Sequence, residues 1–110
     1  MVIGGDKRLK YAADYIENLG FTVYRYGTFG DKGNVSDIEK CKFIVGPVPF
    51  STDNINLNAP FADEKMSFPY LGRIFSPGQI LLGGNVPDIF QCRTVDILKL
   101  DDYAILNAVP

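Results

Sequence analysis

The sequence predicts an α/β fold: a flavodoxin-like or Rossmann-like three-layer domain on a five-stranded parallel sheet. Three observations carry that expectation. Short apolar runs at residues 1–3, 21–26, 42–46, 79–85 and 95–100 alternate with segments of helical periodicity. The runs at 1–3, 42–46 and 79–85 stop at Gly-Gly or Gly-Pro, as strands do before a turn. The run Lys42-Phe-Ile-Val-Gly46 is almost continuously apolar, which suits a strand covered on both faces. Right-handed crossovers with one reversal beside the first strand then give the strand order 2-1-3-4-5.

Each element has its own local reason. After Met1-Val2-Ile3 come Gly4-Gly5, a tight turn, and then a helix. Leu9, Ala12, Ala13, Ile16 and Leu19 recur every three or four residues and form its apolar face. Asp6 is the expected N-cap and Gly20 the residue that ends the helix in left-handed backbone. Residues 21–26 are rich in β-branched and aromatic side chains and read as strand 2, followed by a Gly/Asp/Asn loop over 28–34. Ser36-Asp-Ile-Glu-Lys40 is at most a short helix, with Ser36 as cap and Glu39 three residues on. The two prolines of Gly46-Pro47-Val48-Pro49 withhold N–H donors, so that stretch cannot be central strand. Residues 54–60 alternate polar and apolar, like a small extended arm or hairpin outside the main sheet. Residues 61–76 carry a loose helical stripe broken by Pro69 and Gly72. Pro87 suits the first turn of a helix over 87–93, and strand 5 follows at 95–100. Residues 103–106 add a last apolar extended run.

Composition narrows the function classes. The chain has 110 residues, enough for one domain whose core needs no disulfide or metal. It is 46% apolar and 22% charged with a net charge of −2, so it lacks the basic footprint of a nucleic-acid binder. No apolar run reaches the ~18 residues of a membrane span, and the start enters the fold without a leader, so a cytoplasmic protein is expected. There is no histidine, which removes His-based triads and the usual zinc sites, and no metal site is expected. Cys41 and Cys92 form no C-x-x-C pair and are expected to behave as small buried apolar residues.

In sheets of this kind ligands sit beyond the carboxyl ends of the strands, near the switch point. The unusual residues collect there: Gly4, Gly5, Asp6 and Arg8 after strand 1, Pro47, Ser51 and Thr52 after strand 3, Gly84 and Asn85 after strand 4. Outward-pointing glycine amides, two hydroxyls, an amide side chain and an Asp/Arg pair suit the holding of a small polar acid. A dinucleotide is not expected, because Lys7 and Leu9 stand where the later glycines of G-x-G-x-x-G would be. A phosphate-accepting receiver domain would need an acidic cluster after strand 1 and an Asp after strand 3. A flavin carrier would need a Ser/Thr-rich first loop. The alternative that remains is a free-standing flavodoxin-like module that binds or responds to a small ligand.

The same residues resemble a known family, the N-terminal domain of the dipicolinate synthase A chain. The matching pieces are Val2-Ile3-Gly4-Gly5-Asp6 with Arg8, Pro47-Val48-Pro49 with Ser51, Gly83-Gly84, and Asp101-Asp102-Tyr-Ala-Ile-Leu-Asn107-Ala-Val-Pro110. The resemblance implies the substrate-side domain of an NAD(P)-dependent oxidoreductase, laid out like the D-2-hydroxyacid dehydrogenases. In that layout the active site lies between this domain and a cofactor-binding Rossmann domain. It further implies oxidation of a dihydrodipicolinate-type dicarboxylate to dipicolinate for sporulation, and a partner in the form of a second, flavoprotein-like subunit. The segments 4–8, 47–51 and 84–85 would face the cleft, and no catalytic residue is assigned. Where the cofactor domain would follow, the chain ends, so half of an enzyme is expected, inactive alone and without bound NAD(P). Apolar surface around 103–110 would then be left open, and a homodimer through it is expected.

Overall fold

The computed structural model describes residues 1–30 and 33–99. Strand β1 (Val2–Ile3) leads into helix α1 (Lys7–Asn18) and strand β2 (Arg25–Tyr26). A 3-10 helix (Val35–Lys40) precedes β3 (Phe43–Val45), and helix α2 (Phe68–Ile74) precedes β4 (Ile80–Gly83). Strand β5 (Arg93–Asp96) runs into a 3-10 turn, Ile97–Lys99. The five strands form one all-parallel sheet in the order β2-β1-β3-β4-β5, as the alternation of elements predicts. The last extended run, at 103–106, and the dimer surface expected around it lie outside the described residues.

Helix α1 starts where its cap dictates. Asp6 is extended, and its side chain accepts from the Arg8 N–H at 2.9 Å. Gly20, at φ +101°, carries the chain out in left-handed backbone, which costs a glycine little. The inward face is narrower than its periodicity suggests. Ala13 is fully buried, Leu9 and Ile16 are half-buried, and Ala12 and Leu19 are exposed.

The core lies on the other face of the sheet. Ile3, Ile44 and Leu81 are completely buried there, packed with Ile38 from the 3-10 helix and Leu71 and Phe75 around α2. Phe50, Phe68, Phe75 and Phe90 form a ring cluster over it, with centroids 5.1 to 6.1 Å apart. Such pairs add about 0.5–1.5 kcal/mol each beyond area burial. Gln79 is buried yet fully used. Its Nε2 donates to the carbonyls of Ile38 (2.8 Å) and Cys41 (2.9 Å), and its Oε1 accepts from the Ser76 N–H (2.8 Å). Cys92 is buried in the core and Cys41 half-buried at its edge, both as free thiols.

Four local expectations need correction. Strand β2 is only Arg25–Tyr26, because Phe21 and Thr22 are exposed and pair with no neighbouring strand. The 3-10 helix is capped by Asn34, whose side chain accepts from Ser36 N–H, and not by Ser36. Pro87 starts no helix. The chain crosses directly from β4 to β5, drops Phe90 into the ring cluster, and β5 begins at Arg93. β5 then ends at Asp96, whose carboxylate accepts from the amides of Asn85, Val86 and Leu98 and bends the chain. Residues 54–60 do lie outside the main sheet, as expected, and are packed down onto the domain. Leu57 is buried, and its N–H donates to Met66 O at 2.8 Å, while Asn56 bridges Ser67 in antiparallel fashion.

Candidate functional site

The switch point lies between β1 and β3, where the strand order reverses, and two turns meet there. From β1 come Gly4 and Gly5, at φ +70° and +80°, conformations that side-chain-bearing residues rarely adopt. From β3 comes Gly46-Pro47-Val48-Pro49, with a cis peptide bond before Pro49. The second turn is fastened to the end of β4. Phe50 N–H donates to Gly84 O at 2.7 Å, and Gly84 N–H donates to Pro47 O at 3.2 Å. Residues 57–59 then fold back over the first turn, and Gly5 N–H donates to Asn58 O at 2.8 Å.

Between the turns is a cleft of about 230 Å³ lined by Asp6, Arg8, Leu9, Pro47, Val48 and Asn58. Asp6 serves two ends, capping α1 and holding Arg8. The Arg8 Nε lies 3.0 Å from one carboxylate oxygen and 3.2 Å from the other, and Nη2 is at 2.9 Å. The Arg8 side-chain N–H groups, then its backbone N–H, hold the Asp6 carboxyl below the usual aspartate range. Asp6 in turn raises the Arg8 guanidinium. Asp6 is therefore ionised at neutral pH and is no general acid. Asn58 spans both walls: its N–H donates to Phe50 O and its Nδ2 to Pro49 O, at 2.8 and 3.2 Å.

Of the residues expected at a site, the structure brings Asp6, Arg8 and Pro47 to one cleft. Gly4 and Gly5 are buried beneath it, and their amides do not point outward. Gly4 N–H donates to Tyr26 O at 2.9 Å and Gly5 N–H to Asn58 O, so neither is left for an anion. Ser51 and Thr52 do not line the cleft. The Ser51 hydroxyl donates its one proton to Asn56 O, lies 3.1 Å from Asp53 Oδ1 and accepts from the Asp53 and Asn54 amides, organising the 51–56 loop. That loop also bonds Asp53 to the Ile55 and Asn56 amides, which holds the Asp53 carboxyl far below its ordinary value. Gly84 stands behind Val48 as packing, and Asn85 does not line the cleft, its backbone N–H being bonded to Asp96.

Leu9 and Asn58 are not expected at the cleft from sequence, and Val48 only as part of the 47–51 segment. Asn58 lies in a stretch whose alternation suggests a small arm or hairpin outside the main sheet, and only the return of that stretch over Gly5 brings it to the cleft. The cleft thus offers one cation, one carboxylate, one side-chain amide and an apolar wall, without a nucleophile. The described residues hold no group of three His, Cys, Asp or Glu side chains fit for a metal ion, and no helix long and apolar enough to cross a membrane.

Comparison with known proteins adds three findings. A family model described as the N-terminal domain of the dipicolinate synthase A chain matches residues 1–100. A crystal structure of the dipicolinate synthase A chain from Bacillus subtilis superposes with a TM-score of 0.68 at 21% identity, over 99% of this chain and 43% of that one. The corresponding dipicolinate synthase chain from Bacillus halodurans superposes equally, with a TM-score of 0.68, 16% identity and the same coverage. At these identities the likeness shows the fold, and the chain spans less than half the length of either solved relative. No curated protein matches.

Proposed function

We propose, from the premise that this chain belongs to the family of dipicolinate synthase A-chain N-terminal domains, that it is the substrate-side domain of a cytoplasmic oxidoreductase. Its task would be to hold a dihydrodipicolinate-type dicarboxylate for oxidation to dipicolinate in sporulation, partnered by a second, flavoprotein-like subunit.

The observation that supports this reading is the Asp6–Arg8 pair set at the β1/β3 switch point beside Asn58. Arg8 has five N–H donors, and Asp6 engages Nε and Nη2. Nη1 remains for a ligand carboxylate, a charge-assisted bond of the stronger kind. Asn58 supplies an amide across the cleft, and Pro47, Val48 and Leu9 give an apolar wall for a flat ring. The volume is below the ~300–1,000 Å³ of drug-sized sites, which suits a small acid better than a dinucleotide.

The residues present do not fit NAD(P). A dinucleotide fold presents free turn amides to the pyrophosphate, and here Gly4 and Gly5 spend theirs on Tyr26 and Asn58. Binding of NAD(P) would therefore belong to a separate domain of a longer polypeptide. Redox chemistry belongs to that domain, and this chain's part is to bind and orient.

Saturation-transfer NMR tests the reading. Pyridine-2,6-dicarboxylate at millimolar concentration should give a saturable transfer signal with the wild-type chain. The signal should fall several-fold with Arg8→Ala and be far weaker for a neutral diamide of the same ring. Equal signals from the diacid and the diamide, or no effect of Arg8→Ala, would contradict it.

A further inference from the structure

The polar side chains that line the cleft are Asp6, Arg8 and Asn58, and their own hydrogen bonds leave one acceptor over. Asp6 has none to spare. Its Oδ1 accepts from the Arg8 backbone N–H and Nε, and its Oδ2 from Nε and Nη2. Arg8 is a donor only. Asn58 keeps its side-chain oxygen, because Nδ2 donates to Pro49 O at 3.2 Å while nothing among the described residues donates to Oδ1.

The amide of Asn58 is fixed in that sense. A carbonyl faces Nδ2, and exchanging the two ends of the amide would set oxygen against oxygen. The backbone is held as firmly: Asn58 N–H donates to Phe50 O, and Asn58 O accepts from Gly5 N–H, both at 2.8 Å. Upstream, the Asp53 carboxylate ties down the approach by accepting from the Ile55 and Asn56 amides. Asn58 thus brings an unspent acceptor to the cleft wall. A ligand anchored on Arg8 brings carboxylate oxygens, which accept and do not donate. Another acceptor set against Asn58 Oδ1 is repelled, and a donor is needed there to complete its hydrogen bonding.

We propose that Asn58 is a specificity-determining residue that selects acids carrying a ring N–H beside the carboxylate. Arg8 takes the carboxylate and Asn58 Oδ1 takes the N–H. The substrate class is then a cyclic dicarboxylate whose ring nitrogen bears hydrogen, and a diacid without that donor is held less well. The inference rests on the proposed function, in which Arg8 anchors an acid in this cleft.

Pyrrole-2,5-dicarboxylate and furan-2,5-dicarboxylate test it, since they share flatness and charge and differ in a ring N–H against a ring oxygen. Amide titrations of the ¹⁵N-labelled chain should move residues 6–9 with both. The pyrrole diacid should bind about fivefold more tightly, the worth of one net hydrogen bond. Arg8→Ala should weaken both alike. Asn58→Ala should erase the pyrrole preference, and Asn58→Asp, which keeps an acceptor there, should weaken both diacids yet retain it. The comparison on the wild-type chain decides even where Asn58→Ala fails to fold. Arg8-dependent binding with equal affinities, tighter binding of the furan diacid, or a preference that survives Asn58→Ala overturns this inference alone. If neither diacid moves residues 6–9, the proposed function fails and this inference with it.

Discussion

Gly84→Ala is the substitution that most sharply probes how the cleft wall is fastened. Gly84 directly follows β4 and is bonded on both sides to the 47–50 turn, through Pro47 O and Phe50 N–H. A Cβ there would lie 2.5 Å from Val48 Cγ1, 2.9 Å from Cγ2 and 3.0 Å from Val48 Cβ. A rotamer change moves the two methyls but not Cβ, so the Val48 backbone must shift. Overpacking of this kind costs about 1–3 kcal/mol. For a domain of this size 1 kcal/mol is worth roughly 4–8 °C in Tm, so a fall of about 5–20 °C is expected. Gly72→Ala is the matched control. Gly72 lies within α2, and its added Cβ would meet nothing within 4 Å. Alanine there should stabilise by about 0.5–1 kcal/mol and raise Tm by several degrees. Thermal unfolding followed by circular dichroism, with urea titration to confirm an unchanged m-value, reads both. A Gly84→Ala protein as stable as wild type, or a Gly72→Ala protein that loses as much, would refute the packing argument.

Two further outcomes follow from the titrating groups. The Asp6 carboxyl is depressed when folded, so its contribution is complete above the unfolded-state value near 3.9 and is lost as pH falls through the folded value. Carboxyl-detected NMR should place its midpoint below that of an ordinary aspartate, with the first turn of α1 losing amide protection over the same range. A midpoint at or above the ordinary value would contradict the Arg8 pairing. Burial pushes the Cys92 thiol up, so at pH 8 it should react with a thiol reagent far more slowly in the native chain than in urea. Equal rates in the two conditions would show that the core around Cys92 is open.

Much of the fold is legible in the sequence because its signals are local and periodic. Strand ends at Gly4 and Gly46, the Asp6 cap and the Gly20 stop are each written in a few adjacent residues, and the crossover rule converts them to the observed strand order. What escapes depends on partners distant in sequence. Asp96 stops β5 by capturing amides ten and eleven residues earlier, and Phe90 is drawn from a helix start into a ring cluster with Phe50 and Phe75. Pro69, which reads as an interruption, sits in the first turn of α2 behind the Ser67 cap. The site divides along the same line. Asp6 and Arg8 are neighbours on one turn and can be paired from sequence. The spent amides of Gly4 and Gly5, the inward turn of Ser51 within its own loop and the arrival of Asn58 depend on residues 51–59 folding back. No spacing rule encodes that return.

We propose that the cleft between the β1 and β3 turns holds a small dicarboxylate. An amide titration of the ¹⁵N-labelled chain with pyridine-2,6-dicarboxylate tests it most directly. Saturable shifts centred on residues 6–9, Val48 and Asn58 are expected, with a millimolar dissociation constant, about −4 kcal/mol, as half of an interdomain cleft would give. Saturable shifts confined to the 51–56 loop or to the Phe43–Val45 face, with residues 6–9 and Asn58 unmoved, would contradict it.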